Sequence, residues 1–285
     1  MPPDNQIKAL IKLLSDENDR VARTIEEKLV EIGDPAIPLL LEAEIEQPEM
    51  AQRIEGVLDE IRGGRLEDEL RMLVGAPGNQ QPDLERGAFL IARYAYPGLD
   101  VEGYVRKLDA MAEEVLDRMG TRVSGEETVK TLGRYLFTEQ GYRGNTKNYY
   151  EPDNSYLNRV IDRRTGIPIS LSVFYLLIGK RLNLPVHGIG MPGHFLVKYE
   201  AERYRMFVDC FNAGALLTEK DCQRFLMQAG YGFEDKYLLH SPPRAILARM
   251  LKNLVAIYDK MNEHVKRDRL TRFMEILGES KQDER

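Results

Sequence analysis

Apolar residues recur at helical spacing along most of this chain, but between Val186 and Phe211 the period drops to two. The runs Val186 to Met191, His194 to Tyr199 and Tyr204 to Phe211 alternate as strands do. Short connections join them, so they predict one small antiparallel sheet. Helical patterns stand on both sides. They cover 83–95, 100–119, 125–139 and 168–182 before the strands, and Ile246, Met250, Leu254, Ile257 and Met261 after them. That order predicts an α+β fold with helices at both ends of the chain. The turn-rich run QGYRGNTKNYYEPDN (140–154) reads as a long ordered loop, and Asn154-Ser155 as the N-cap of a helix reaching Arg164.

The opening residues carry an internal repeat. A shift of 29 residues superposes Leu10 on Leu39, Ile25 on Ile54, Leu29 on Leu58 and Ile32 on Ile61. Two helix pairs related in this way suggest a short α-solenoid, in which each pair buries its face on the next. Asp34-Pro35, opening the second pair, resembles a HEAT repeat. Breaks are expected at Gly63-Gly64 and along GAPGNQQPD (75–83), where Gly, Pro and Asn cluster. The expected organisation is a helical repeat over 1–63, a core domain with an N-terminal helical subdomain over 64–242, and C-terminal helices over 243–285.

Composition excludes several classes. Forty Lys+Arg against forty-six Asp+Glu give a net charge of -6, which argues against broad nucleic-acid binding. The longest uncharged apolar stretch, Gly166 to Gly179, has 14 residues, short of the roughly 20 that a membrane helix needs. The start, MPPDNQIKAL, has neither a basic nor an apolar leader segment, so a cytoplasmic location is expected. Two cysteines, Cys210 and Cys222, cannot make a four-thiolate zinc site. His187, His240 and His264 have no spacing that suggests metal ligands. No metal or cofactor is expected.

The chemistry concentrates in 154–214. HFLVKY and YRMFVDC are joined by Glu200-Ala201-Glu202-Arg203, a hairpin-sized link. Pairing Tyr199 with Tyr204 places His194 opposite Asp209, and puts Phe195, Val197, Val208 and Met206 on one apolar face. The cost is Lys198 opposite Arg205, a like-charge pair of roughly a few tenths of a kcal/mol. An imidazole held by a carboxylate is oriented and charge-stabilised, as beside a nucleophile. In papain-like and transglutaminase arrangements the nucleophile opens the helix before those strands, where the helix N-terminus lowers a thiol's pKa. A helix beginning near Pro168 lies in that place. The other reading is a buried His–Asp bond that only holds the hairpin.

The runs NSYLNRVIDRRTGIPISLS, MPGHFLVKY and VDCFNAG, within about Leu66 to Asp268, closely resemble the transglutaminase-like family named as regulators of sirC expression. The resemblance implies a transglutaminase-like (papain-like) core with tetratricopeptide-type helices after it, of which ILARMLKNLVAIY looks like the beginning. The HEAT-like front is an addition to that pattern. His194 matches the triad histidine and Asp209 the triad aspartate. The triad cysteine falls at about Pro168, which has no nucleophilic atom.

Ser170 and Ser172 lie just inside that helix, and Ser170 is the better candidate for a serine variant. Its alternative is an N-terminal-turn serine bonding local backbone. Cys210 should face away from His194, and Cys222 falls on a polar helix. Tyr142, Arg143, Asn145, Tyr149, Tyr150 and Asn154, with Arg163 and Arg164 at its mouth, suit a peptide groove beside His194. Alternatively, Asn154 and Arg163 brace the long loop. Two functions follow. One is a non-catalytic regulatory module that binds a protein or peptide. The other is a hydrolase or acyltransferase using Ser170, His194 and Asp209. A purely structural adaptor is a third.

Overall fold

The computed structural model describes residues 2–16, 18–75, 81–120 and 124–278. It divides into two compact units, Met1–Glu69 and Leu70–Arg285. The first holds α1 (Asp4–Leu13), α2 (Asp19–Ile32), α3 (Ile37–Glu46) and most of α4 (Ala51–Gly75). These are the two helix pairs that the repeat predicts, and Leu29 and its counterpart Leu58 are both buried in one core with Leu40 and Ile54. Asn18 caps α2 by accepting from the Arg20 N–H. Pro35 sits in a 3-10 turn that leads into α3.

The expected break at Gly63-Gly64 is absent, because α4 continues to Gly75. Each glycine costs a helix interior about 1 kcal/mol. The buried stripe Leu58, Ile61, Leu66, Leu70 and Leu73 carries the helix across them. The units therefore divide after Glu69. Residues 76–80 of the second expected break lie outside the described residues.

The second unit begins with α5 (Leu84–Ala95), α6 (Val101–Arg118) and α7 (Gly125–Gly133), capped by Asp83, Asp100 and Ser124. A π-helical turn, Arg134–Glu139, extends α7. The long loop then pairs β1 (Arg143–Gly144) in parallel with β2 (Thr165–Gly166), on either side of α8 (Leu157–Arg163). The N-cap of α8 is Tyr156, not Asn154. The Asn154 side chain turns inward to hold the loop instead. Next come α9 (Pro168–Arg181), β3 (Val186–Met191), β4 (His194–Ala201), β5 (Tyr204–Asp209) and β6 (Ala215–Leu217). α10 (Glu219–Gln228), α11 (Pro243–Lys260) and α12 (His264–Ile276) follow. The four strands β3-β4-β5-β6 form one antiparallel meander, so the fold is α+β.

The hairpin register differs from the expected one by two residues. Tyr199 pairs with Met206 and Ala201 with Tyr204, leaving a two-residue turn at Glu202-Arg203. Electrostatics favours the shift. Glu200 now lies opposite Arg205 and bonds both it and Lys198 (3.1 Å each), while Lys198 faces Phe207. A shift of two keeps every side chain on its face, because the strand period is two.

One face, with Phe195, Val197 and Tyr199, lies under α9; there Gly179 lets the helix approach Val186 so closely that a Cβ would fall 2.6 Å from it. The opposite face buries Ile189, Met191, Leu196 and Phe207 against Cys222 and Leu226 of α10. Among the described residues no helix is long and apolar enough to cross a membrane.

Candidate functional site

His194 opens β4 directly after the Pro192-Gly193 turn, whose glycine (φ +72) takes a conformation that L residues avoid. The carbonyls at both ends of this turn, Met191 and His194, accept from Arg249 Nη2 at 2.9 and 2.8 Å. The ring is nearly buried, and its Nε2 donates to Asp209 Oδ2 at 2.8 Å. In the observed register Asp209 is a diagonal neighbour of His194 rather than directly opposite; a diagonal is still within reach of long side chains.

Asp209 is a hub. It also accepts from Asn212 Nδ2 at 2.8 Å and from the N–H groups of Phe211 and Asn212 at 3.1 Å. Burial works to raise its pKa. The hydrogen bond and charge of His194 and the donors of Asn212 outweigh this, and hold the carboxyl below its ordinary range. An ionised Asp209 can only accept, so Nε2 carries a proton in this bond. The turn after Asp209 has left-handed Ala213 and Gly214; a Cβ on Gly214 would lie 2.2 Å from the Phe137 ring. Phe225 (5.3 Å) and Phe211 (6.4 Å) flank the imidazole.

Among the described residues no nucleophile is hydrogen-bonded to this pair. α9 opens on Pro168. Ser170 is 0% exposed; its hydroxyl donates to the Asn154 carbonyl (2.5 Å) and accepts from the Ile167 N–H (3.1 Å). Its proton is thus given to the Asn154 backbone carbonyl rather than to His194. Ser172 points at the Phe195 carbonyl (3.5 Å). Burial pushes the Cys210 thiol far up, beside Ser172, and the Cys222 thiol up to about 12. Among the described residues no hydroxyl or thiol is hydrogen-bonded to His194, and no three His, Cys, Asp or Glu side chains converge as metal ligands.

The expected groove residues separate into three groups. Tyr142 is core: its ring stacks on Phe174 at 4.3 Å and its hydroxyl donates to the Ile161 carbonyl. Its place in a groove is therefore corrected, because an apolar ring beside α9 is stabilised by burial. Asn145, Asn154, Arg163 and Arg164 brace the loop. Asn154, 0% exposed, donates to the Asn148 and Tyr149 carbonyls and accepts from Asn145 Nδ2 (3.0 Å). Arg163 forks onto Glu151 (2.6 and 2.8 Å) and reaches Asp153, while Arg164 donates to the Gln140 carbonyl.

Tyr149, Tyr150 and Arg143 are exposed. Tyr149 lies 5.9 Å from Phe211, which itself flanks His194. The Gly144 N–H donates to the Phe211 carbonyl, and a Cβ there would lie 2.5 Å from the Phe211 ring. Sequence reading missed the side-chain roles of Asn212, Phe211, Phe225 and Arg249. An Asn three residues after a strand-end Asp is a turn signal that pointed to Asn212. The other three come from separate elements and left no local trace.

Several proteins share this stretch. A UPF0162 protein of Xylella fastidiosa (strain 9a5c) is 35% identical over 181 residues, 61% of this chain and 64% of that protein. A UPF0162 protein of Pseudomonas aeruginosa is 26% identical over 187 residues, 65% of this chain and 68% of that protein. F-box only protein 21 of Homo sapiens is 24% identical over 237 residues, 70% of this chain and 36% of that protein. This chain spans less than two thirds of the first curated relatives it matches (64% and 63%). No solved structure matches. The family described as the transglutaminase-like superfamily matches residues 102–252, more than half of the chain and the whole of the His194–Asp209 region. With its helix-then-hairpin order and its paired imidazole and carboxylate, this chain belongs to the transglutaminase-like superfamily.

Proposed function

We propose that this protein is a non-catalytic transglutaminase-like domain that binds a protein or peptide across the surface beside His194, as a regulatory module. One observation carries the reading: the helix that should present the nucleophile opens on Pro168, and the nearest hydroxyl, Ser170, spends its proton on the Asn154 carbonyl. His194 and Asp209 then act as a rigid donor–acceptor pair in the floor of a surface edged by Phe211, Tyr149 and Tyr150. Such aromatic surfaces give large contact energy at small ordering cost. The two helix pairs before Glu69, read as HEAT-like, offer a second contact surface.

The retained His194–Asp209 pair favours a second reading, a hydrolase or acyltransferase in which Ser170 attacks. It requires Ser170 to break its bonds to Asn154 and Ile167 and turn toward the imidazole. Fluorophosphonate and iodoacetamide probes separate the two. On the non-catalytic reading neither labels the folded protein in a His194-dependent way. Labelling at Ser170 that vanishes in His194→Ala would overturn it.

A further inference from the structure

The surface beside His194 is basic in a chain that is acidic overall. Arg249 sends Nη2 to two carbonyls and lies over the Phe195 ring (5.5 Å), with no carboxylate partner among the described residues. Lys260 stands 3.7 Å from the Tyr150 ring centroid, again without a carboxylate. Lys147, in the same loop as Tyr149, is exposed and forms no ion pair among the described residues.

The local carboxylates are already taken. Glu151 and Asp153 serve Arg163, Asp153 also serves Arg159, and Asp209 serves His194. Three cations are left over around exposed tyrosines, although the chain carries a net charge of -6. Burial also pulls down the Arg249 guanidinium pKa, as expected of a cation that lacks a counter-ion.

Arg249 and Lys260 lie on one stripe of α11, since eleven residues make about three helical turns. They are therefore about 16 Å apart at 1.5 Å per residue. An extended peptide covers that span in about five residues at roughly 3.3 Å each. Tyr149, which feels the charge of Arg249, packs edge-on against Tyr150 (5.3 Å) under Lys260, and the pair offers a place for an apolar side chain.

Resting on the protein-binding reading above, we infer that the occupant is an extended acidic peptide, with carboxylates about five residues apart on either side of an apolar anchor. Its acids would meet Arg249 at one end and Lys260 at the other, with Lys147, two residues before Tyr149, adding positive charge to the same loop. Opposite charge here sets partner choice and encounter rate more than total affinity.

The test is fluorescence anisotropy with the full chain and a fluorescein-labelled peptide in which a Leu-Tyr pair is flanked on each side by glutamates. Controls are the same peptide with glutamines, and a short oligouridylate. The glutamate peptide should bind, and more weakly as NaCl rises, since exposed charges are screened beyond about 10 Å at 0.1 M salt. Replacing Lys147→Glu together with Lys260→Glu should weaken it by about tenfold or more with Tm unchanged, because both side chains are exposed. Equal binding of the glutamine peptide would overturn the acidic preference while leaving peptide binding standing. No binding of either peptide, or preferential binding of oligouridylate, would overturn the inference as well. His194-dependent probe labelling of Ser170 would instead remove the reading beneath it.

Discussion

Asp209 shows how one side chain holds a site together. Four donors converge on it, one of them a nearly buried imidazole. Asp209→Ala leaves all four unsatisfied, which should cost about 3 kcal/mol or more in urea unfolding. The pH dependence has a definite sign. The folded pKa is depressed below 3.8, so the stabilisation is present above that pH and disappears as pH falls through the folded value. Asp209→Asn should therefore lose stability at neutral pH and show a flatter acid limb below about pH 4. An acid limb as steep as that of the native chain would show that the carboxylate is not the hub described.

Ser170 makes a complementary case. Its two backbone bonds make it the cap that joins α9 to the loop, so Ser170→Ala should lower stability by about 1–2 kcal/mol. Peptide binding at saturating protein stability should be untouched. A variant that folds as well as the native chain but loses a measurable turnover would point to the catalytic reading.

At the scale of elements, the β3–β4–β5 meander brings together groups that sequence spacing keeps apart. His187 and His240 stack face to face at 3.8 Å, and His240 bonds Glu200 (2.9 Å), which also holds Lys198 and Arg205. Burial lowers the His187 pKa, and the charge of a protonated His240 lowers it further. A histidine depressed in the folded state destabilises the fold once the unfolded chain begins to take up the proton. Stability should fall as pH drops below about 6.5 toward the folded value. Thermal melts between about pH 7 and pH 5 should show this loss, and His187→Gln should reduce it; an identical slope in the variant would assign it elsewhere.

The stack was illegible in the sequence because His240 reaches His187 only through the bridge of Ile189 to His240. The helices and the three main strands were legible, because periodicity is local and strong from Pro168 to Asp209. The register was not, because faces survive a shift of two residues and only Glu200, set aside as part of the connection, distinguishes the two pairings. The His–Asp pair survived that error because the partner had moved just one diagonal along the ladder. The groove was legible only in part. Tyr142 and Tyr149 look alike in composition, and only the packing of Phe174 against one and Phe211 against the other tells core from surface.

For the molecule as a whole, the division after Glu69 makes a physical claim about independence. The first unit has its own core of Ile7, Leu14, Leu29, Leu40, Ile54 and Leu58. The second contains the matched stretch 102–252 and every group that touches His194 or Asp209. It has roughly 200 residues, well above the size at which a single core supports its own fold. A chain beginning at Gly64 keeps Leu66, Leu70 and Leu73, which are buried along α4. Twelve or so helical residues do not stand alone in water, so that stretch depends on packing for its structure. The shortened chain should unfold in one cooperative step, keep the near-UV signal of its buried tyrosines, and show the same Asp209-dependent acid limb as the full chain. Dye binding typical of a loosened core, with near-UV signal lost and far-UV signal kept, would mean that the second unit needs the first. The His194 surface could then not be treated as a property of the transglutaminase-like unit alone, because its floor would owe its rigidity to helices outside the matched stretch.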